Sequence, residues 1–414
     1  MQRETLKNIK KLLVITGDYW PLPSANGLCL DAILKELFKR GYFAHVVSFN
    51  KRNELLRFDY CDVHNIATNN TYKRSKNILT NIKNFIKIFL TNPLYKKKDM
   101  NAVIDCAKEI LNNENISCIL CVQRPAASGY VGTTLKKAFP RIPLFLYEMD
   151  SLTDNGSNYV GWERIFKYRN KRLEKKIFKN TDKIFYLKSH DNYYKSKRYA
   201  RFSSKMYCID TPLLDKSLFD LSNQVVKKDR ELFRFIYSGV LTMECRSPVA
   251  SIEFIKELNK VAKAEYSFYV RGNALDYLKK ESSNFPGLID VTDYIPRNEL
   301  DLKITASDYL VSIGENFNDK AFSFPSKIIY YMSFGKPIIH FAYDENDLCI
   351  DYLNKYPLSL VLIMSDDVSK NVERFLQFVK NTQGISIDFN QIENTFFMNS
   401  PKYTVDLFFD ARKE

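Results

Sequence analysis

Short apolar runs alternate with segments of helical period along nearly the whole chain. KLLVIT (residues 11–16) is a continuous apolar run, as a parallel strand buried on both faces requires. LCLDAILKELFKRG then spaces Leu28, Ala32, Ile33, Leu37 and Phe38 at helical intervals and stops at Gly41, a helix-ending glycine. FAHVVSF is the next strand. The unit is βαβ, the seed of a doubly wound sheet.

The pattern recurs. SCILCVQ and IPLFLYEMD read as strands flanking the helical YVGTTLKKAF, and the helix RIFKYRNKRLEKKIFKNTDK precedes the strand IFYL. Near MYCIDTPLL, Pro212 marks a crossing point. A second series starts with FRFIYSG, the helix PVASIEFIKELNKVA and YSFYVRG. It continues through IDVTDYI, RNELDLKITAS, DYLVSIG, a helix from Lys327 to Phe334 and PIIHF. Such alternation predicts an α/β protein with two Rossmann-like domains, 1–211 and 212–400, and a cleft between them. A terminal helical segment, 401–414, begins at Pro401. Ligands of such sheets bind outside the carboxyl ends of the strands, which directs attention to the loops there.

A length of 414 residues suits two domains, and 45% hydrophobic with 27% charged residues is an ordinary globular composition. The net charge of +14 is uneven: Met1 to Thr211 carries 38 Lys+Arg against 19 Asp+Glu, and the remainder 24 against 29. The basic half therefore meets the anionic partner, whether nucleic acid, anionic lipid or phosphorylated substrate. Two basic amphipathic stretches carry this charge. YKRSKNILTNIKNFIKIFLTNPLYKKK sets Ile78, Ile82, Phe85, Ile86 and Phe89 at helical spacing between lysines, and RIFKYRNKRLEKKIFK is the other. They read as membrane-surface helices or as ordinary core-packing helices with solvated lysines. Nucleic acid is disfavoured because no recognised module of stacking aromatics accompanies the charge.

The eight cysteines include one C-x2-C, Cys118 and Cys121, inside an apolar strand without a second pair, so small buried residues are expected rather than zinc ligands. Unpatterned thiols fit a reducing cytoplasm. The first apolar run is too short for a secretion signal, and no segment reaches the length of a membrane span. The expected location is cytoplasmic, with the basic half on the inner face of the membrane.

Three stretches carry candidate chemistry. GDYWPLPSANG ends in Ser24-Ala25-Asn26-Gly27 before a helix, where backbone amides approach an anion or simply form a βα loop. It lacks the dinucleotide glycine spacing. FRFIYSGVLTMECRSPVAS places Gly239 at a strand end and Arg246 ahead of a helix, as a phosphate clamp or a surface arginine. In AFSFPSKIIYY, Ser323 and Pro325 suit a helix start, and Ser326 and Lys327 fall in its first turn. A cation there opposes the helix dipole unless it shares an anion with the amides, or it is solvated. Asp18, Asp150 and Glu315 end strands, His45 and His340 lie in core-like runs, and His190 is the histidine expected to face the cleft. No metal-ligand spacing or nucleophilic triad is evident.

With these residues in view, the chain resembles the GT-B glycosyltransferases, and among them the bacterial enzymes of capsular and other surface polysaccharides. DYWPLPSANGLCLDAILKELFKRGY resembles their first βα unit, and IYSGVLTMECRSP and PSKIIYYMSFGKPIIHF their donor-site signatures. The resemblance implies a UDP- or GDP-sugar donor, no other cofactor, and a terminal helix that returns to the N-terminal domain. Arg246 and Lys327 would face the diphosphate with Ser326 beside them. Gly239 and Gly272 would lie at the donor-side strand ends, Tyr294 and Ile295 would hold the base, and Tyr330 would lie by the ribose. The acceptor, a glycan or lipid-diphosphate-linked glycan, would enter near Ser24, Asn26, Gly27 and Asp150, with Asp150 as general base. Two departures stand out. Val240 follows Gly239 where relatives carry arginine, and Tyr330 and Phe322 occupy positions that are glutamates in relatives. A sugar-nucleotide epimerase and a non-catalytic subunit of the same architecture are the other readings.

Overall fold

The structure is a computed structural model that describes residues 9–17, 19–21, 24–68, 77–91, 94–123, 125–149, 151–153, 164–224, 232–293, 295–315 and 326–409. Two compact units make up the chain. One runs through Pro212 and takes back the helix Pro401–Phe409; the other runs from Leu213 to Ser400.

The first unit holds an eight-stranded sheet. Its strands are β1 (Lys10–Thr16), β2 (Tyr42–Asn50), β3 (Glu54–Arg57), β4 (Cys61–Ala67), β5 (Ile116–Val122), β6 (Leu144–Glu148), β7 (Lys183–Leu187) and β8 (Met206–Ile209). Their spatial order is β3-β4-β2-β1-β5-β6-β7-β8. All pairs are parallel except β3 with β4. The central strands are apolar throughout because helices cover both faces. β4 instead alternates, with Cys61, Val63 and Asn65 buried between half-exposed Asp62, His64 and Ile66, which is why CDVHNIA does not stand out as an apolar run. β3 is short, charged and mostly exposed, and it closes that edge of the sheet.

The terminal helix belongs to this unit. Phe408 packs 4.5 Å from Phe185, the Tyr42 and Phe409 rings stack at 4.8 Å, and Arg40 pairs with Asp406 at 2.7 Å.

The second unit carries six parallel strands: β9 (Phe233–Val240), β10 (Ala264–Arg271), β11 (Ile289–Thr292), β12 (Tyr309–Ile313), β13 (Ile338–Ala342) and β14 (Ser359–Ile363). The order β11-β10-β9-β12-β13-β14 reverses direction between β9 and β12. A ligand crevice forms at such a reversal, at the carboxyl ends of the strands. Those ends are Gly239-Val240 on β9 and Gly314-Glu315 after β12. One core packs Phe235, Phe254, Phe268 and Phe375 on one face of the sheet. The other packs Ile328, Ile329, Tyr330, Tyr331 and Phe334 of the Ser326–Met332 region against Leu310 and Ile338. The continuous apolar middle of SKIIYYM is thereby explained: the helix Ser326–Met332 is buried nearly all round.

Candidate functional site

The cationic residues expected from sequence come together in the second unit. β9 closes with Gly239 and Val240; the φ of 128° at Gly239 favours glycine, and a Cβ there would stand 2.9 Å from Nζ of Lys327. The backbone conformation favours glycine there, and a side chain at this position would displace the lysine ammonium beside it. The turn that follows is closed by paired backbone hydrogen bonds between Thr242 and Arg246, at 3.2 and 3.0 Å. The Thr242 hydroxyl accepts from the amides of Cys245 and Arg246, and Asn273 holds the turn through the Met243 amide and the Glu244 carboxylate. Arg246 is therefore aimed by its own turn rather than left as a free surface side chain.

Lys327 enters from the first turn of the helix Ser326–Met332. Part of the residue is exposed, but its ammonium is enclosed, 3.6 Å from the centre of the Tyr237 ring. Burial, and then the charge of Arg246, hold its pKa well below the usual lysine range. Among the described residues no carboxylate pairs with Lys327. Arg246 does have one: its guanidinium is ion-paired with Glu315, and both side chains are mostly buried. Two cations and one carboxylate leave the cluster one negative charge short.

The neighbouring tyrosines have other duties. The Tyr331 hydroxyl accepts from the Ser238 amide at 3.1 Å and so anchors β9 to the helix. Tyr330 is 5% exposed and donates its hydroxyl to Asp301, while Arg297 lies 3.8 Å over its ring and donates to the same carboxylate at 3.2 Å. Arg297 and Asp301 belong to the helix Arg297–Ala306, which half-buried Ile295 precedes. The structure thus brings Tyr330 and the segment of Ile295 together. Gly272 has a φ of 117°, and a Cβ there would stand 1.9 Å from the Leu241 carbonyl, so close backbone packing requires it. Ser326 is half-buried beside Lys327. Tyr294, Phe322, Ser323 and Pro325 lie outside the described residues.

Behind Glu315 is a set of side chains that sequence reasoning did not join. His340 Nε2 lies 3.1 Å from Asp347, whose other oxygen accepts from the Cys349 amide at 2.9 Å. Gly314 has no room for a side chain against this carboxylate, a Cβ falling 2.2 Å from Asp347 Oδ2. Its amide donates to Phe341 at 2.8 Å.

In the first unit, Ser24 caps the helix Ala25–Lys39 by accepting from the Asn26 amide at 3.3 Å, and Gly27 is buried. Asp31, one turn further on, accepts from Tyr19, Trp20 and Tyr60 at 2.8, 3.0 and 2.6 Å. That carboxylate fastens the loop after β1 to the helix. The Tyr-Trp pair followed by an acid in the first helix turns was the available signal. Asp150 and Asp18 lie outside the described residues. The residues after Asp150 are Ser151 and Thr153, whose hydroxyls approach the buried Glu174 at 3.5 Å. Tyr199 donates to Glu174 as well, and burial raises the pKa of this carboxyl to about 7. His190, expected to face the cleft, is instead buried against Tyr194, because the chain turns into a short helix directly after β7.

No protein-family model matches the sequence, and no curated protein matches it significantly. Among solved structures, the chain is similar to the α,α-trehalose 6-phosphate synthase of Burkholderia multivorans, with 8% identity over 97% of each chain and a TM-score of 0.57. A glycosyltransferase of Rickettsia africae aligns over 97% of this chain and 95% of its own, with 12% identity and a TM-score of 0.54. UGT2 of Phytolacca americana, solved with UDP-2-fluoro-glucose and pterostilbene, aligns over 97% and 99%, with 8% identity and a TM-score of 0.53. The fold is that of the GT-B glycosyltransferases. The likeness covers 97% of this chain, and the two α/β units expected from the strand-helix alternation are the ones observed.

Proposed function

We propose that the chain is a glycosyltransferase that moves a sugar from a UDP- or GDP-sugar to a hydroxyl of a glycan or lipid-linked glycan during bacterial surface polysaccharide synthesis. The observation that carries this reading is the Arg246–Lys327 pair at the carboxyl end of β9, two enclosed basic side chains of which Arg246 alone has a carboxylate partner among the described residues. A nucleoside diphosphate supplies the missing negative charge. Two GT-B neighbours above a TM-score of 0.5 hold related ligands: UGT2 holds a UDP-sugar analogue, and a starch synthase from Arabidopsis thaliana holds ADP.

In this reading the acceptor hydroxyl attacks the anomeric carbon as the bond to the diphosphate breaks. Charge develops on the departing phosphate oxygen, and preorganised cations stabilise it most where water is excluded. Arg246 offers a planar fork and Lys327 a point charge to those oxygens. Gly239 gives Lys327 its room, and Gly272 keeps the neighbouring turn tight. Ser326 lies beside the phosphates, and Tyr294, Ile295 and Tyr330 form the nucleoside side. Ser24, Asn26 and Gly27 border the acceptor, and Asp150 removes its proton. The domains divide the labour as 1–211 for acceptor, 212–400 for donor and 401–414 as the returning helix.

The acceptor side works at the inner face of the cell membrane. Support comes from the helix Ile78–Thr91, where Ile78, Leu79, Ile82 and Ile86 are 75%, 72%, 50% and 50% exposed. Residues 71–98 around it carry eight Lys/Arg and no Asp/Glu. An exposed apolar stripe within such a charge field suits an anionic bilayer surface. Among the described residues, no helix is long and apolar enough to cross a membrane.

Calorimetric titration with UDP-, GDP- and CMP-sugars tests the donor reading. Arg246→Ala and Lys327→Ala are each expected to abolish transfer while the fold persists. Near-normal turnover in either variant would reject the site. Absence of all nucleotide binding would favour a non-catalytic subunit, a reading supported by Val240 and by the engagement of Tyr330 with Asp301.

A further inference from the structure

The two cations of the cluster are not equivalent. Lys327 has no carboxylate among the described residues, whereas Arg246 is already ion-paired with Glu315. The pairing reaches a terminal nitrogen of the guanidinium, whereas Arg246 Nε is buried without a hydrogen-bond partner. A single carboxylate therefore occupies the arginine without satisfying its fork.

Glu315 reaches Arg246 from a firm base. It follows Gly314, which is held by its hydrogen bond to Phe341 and leaves no room for a side chain beside Asp347. Asp347 itself is committed to His340 and the Cys349 amide, so it does not exchange onto Arg246. Glu315 is the one described acid paired with the cation cluster.

We propose that Glu315 is a built-in anion that competes with the ligand's phosphates for Arg246, so that ligand entry breaks an existing ion pair and ligand departure remakes it. This rests on the reading of Arg246 and Lys327 as a diphosphate site. An incoming phosphate pairs with Lys327, which no described carboxylate compensates. A second phosphate then takes Arg246 through both edges of its fork, as carboxylate and phosphate acceptors do when bidentate. Glu315 weakens the ground-state complex and gives the leaving diphosphate a competitor that returns to the arginine. Specificity by an opposing charge of this kind acts on affinity without touching the ligand's apolar parts.

Inorganic pyrophosphate is the probe, because it carries the phosphates without base, ribose or sugar. Calorimetric titration of the full chain compares wild type, Glu315→Gln, Arg246→Ala and the double variant, with UDP and GDP titrated in parallel. Glu315→Gln, which is isosteric, is expected to tighten pyrophosphate binding about tenfold, and Glu315→Ala similarly. In the Arg246→Ala background the same change is expected to shift affinity less than about twofold, since the competition needs the arginine. Equal or weaker binding by both Glu315 variants overturns the proposal. So does an undiminished gain without Arg246, which would be general repulsion. Wild type that binds a nucleoside diphosphate while Glu315→Gln gains nothing refutes Glu315 alone. Silence of every variant toward pyrophosphate, UDP and GDP refutes the diphosphate site itself. Unchanged melting temperatures of the two Glu315 variants exclude misfolding as the cause of a loss.

Discussion

The ammonium of Lys327 stands 3.6 Å from the centre of the Tyr237 ring, beside Arg246 and enclosed by protein. The ring face compensates part of that charge, but burial and the arginine both oppose it. The folded state therefore holds this proton less tightly than the unfolded chain does. The stability cost is present in full below the depressed folded pKa and is relieved as pH rises from there toward the free-lysine value near 10.4. Lys327→Met is expected to raise the melting temperature at neutral pH and to flatten its rise on the alkaline side. Bound phosphate raises this pKa again, so nucleoside diphosphate binding by wild type takes up protons wherever the pH lies above the depressed value. Calorimetry in two buffers of different ionisation enthalpy reads that uptake, and identical heats would contradict it.

Gly239 is the residue that gives the lysine its place. Gly239→Ala puts a Cβ at a φ of 128° and 2.9 Å from Lys327 Nζ. A loss of about 1–3 kcal/mol in urea unfolding is expected from the backbone alone. Pyrophosphate affinity should fall with it, because the lysine must move. Gly272→Ala is expected to destabilise the second unit at least as much, since its Cβ meets the Leu241 carbonyl at 1.9 Å, and to do so without a specific effect on Lys327.

Glu174 sets a pH dependence in the first unit. Its pKa of about 7 lies above the free value because burial outweighs Tyr199, Arg198, Thr153 and Ser151. A raised carboxyl favours the folded state while protonated. That contribution is complete below about pH 4.3, declines as pH rises to about 7, and is then gone. The difference amounts to at most about 4 kcal/mol. Glu174→Gln keeps an acceptor for the Tyr199 hydroxyl and is expected to melt higher than wild type at pH 8 but not at pH 5. Parallel melting curves at both values would remove Glu174 as the cause.

The membrane reading predicts a charge- and apolarity-dependent partition. Wild type should sediment with vesicles containing phosphatidylglycerol and not with phosphatidylcholine alone. Ile82→Glu with Ile86→Glu, both on the exposed stripe, should lose that binding at least tenfold while melting unchanged. Binding that survives the double change would move the contact away from this helix.

Much of the fold was legible because its cause is local. KLLVIT and PIIHF had to be buried strands, since a run apolar on both faces is stable only between covering layers. Ser24 as a cap and Gly41 as a helix end follow from side-chain reach and from a φ of 81°. β3 escaped that reading because a strand at an edge pairs by backbone and needs no apolar run, and β4 because its buried and half-exposed positions alternate. His190 was misplaced for a related reason. A strand end specifies direction only until the next turn, and the helix after β7 carries the ring inward.

Sequence alone determined the two α/β series, the charge asymmetry and the residue types gathered near the strand ends, because periodicity and composition act over a few residues. Tertiary structure decided the partners. Glu315 meets Arg246 because the order of the sheet sets β12 beside β9, and Tyr330 turns to Asp301 because the helix Arg297–Ala306 packs over it. Neither pairing leaves a mark in local sequence, since its energy exists only when distant segments are brought into contact. Lys327 shows both levels at once: its position in a helix's first turn was legible, whereas its enclosure against Tyr237 came only with the fold.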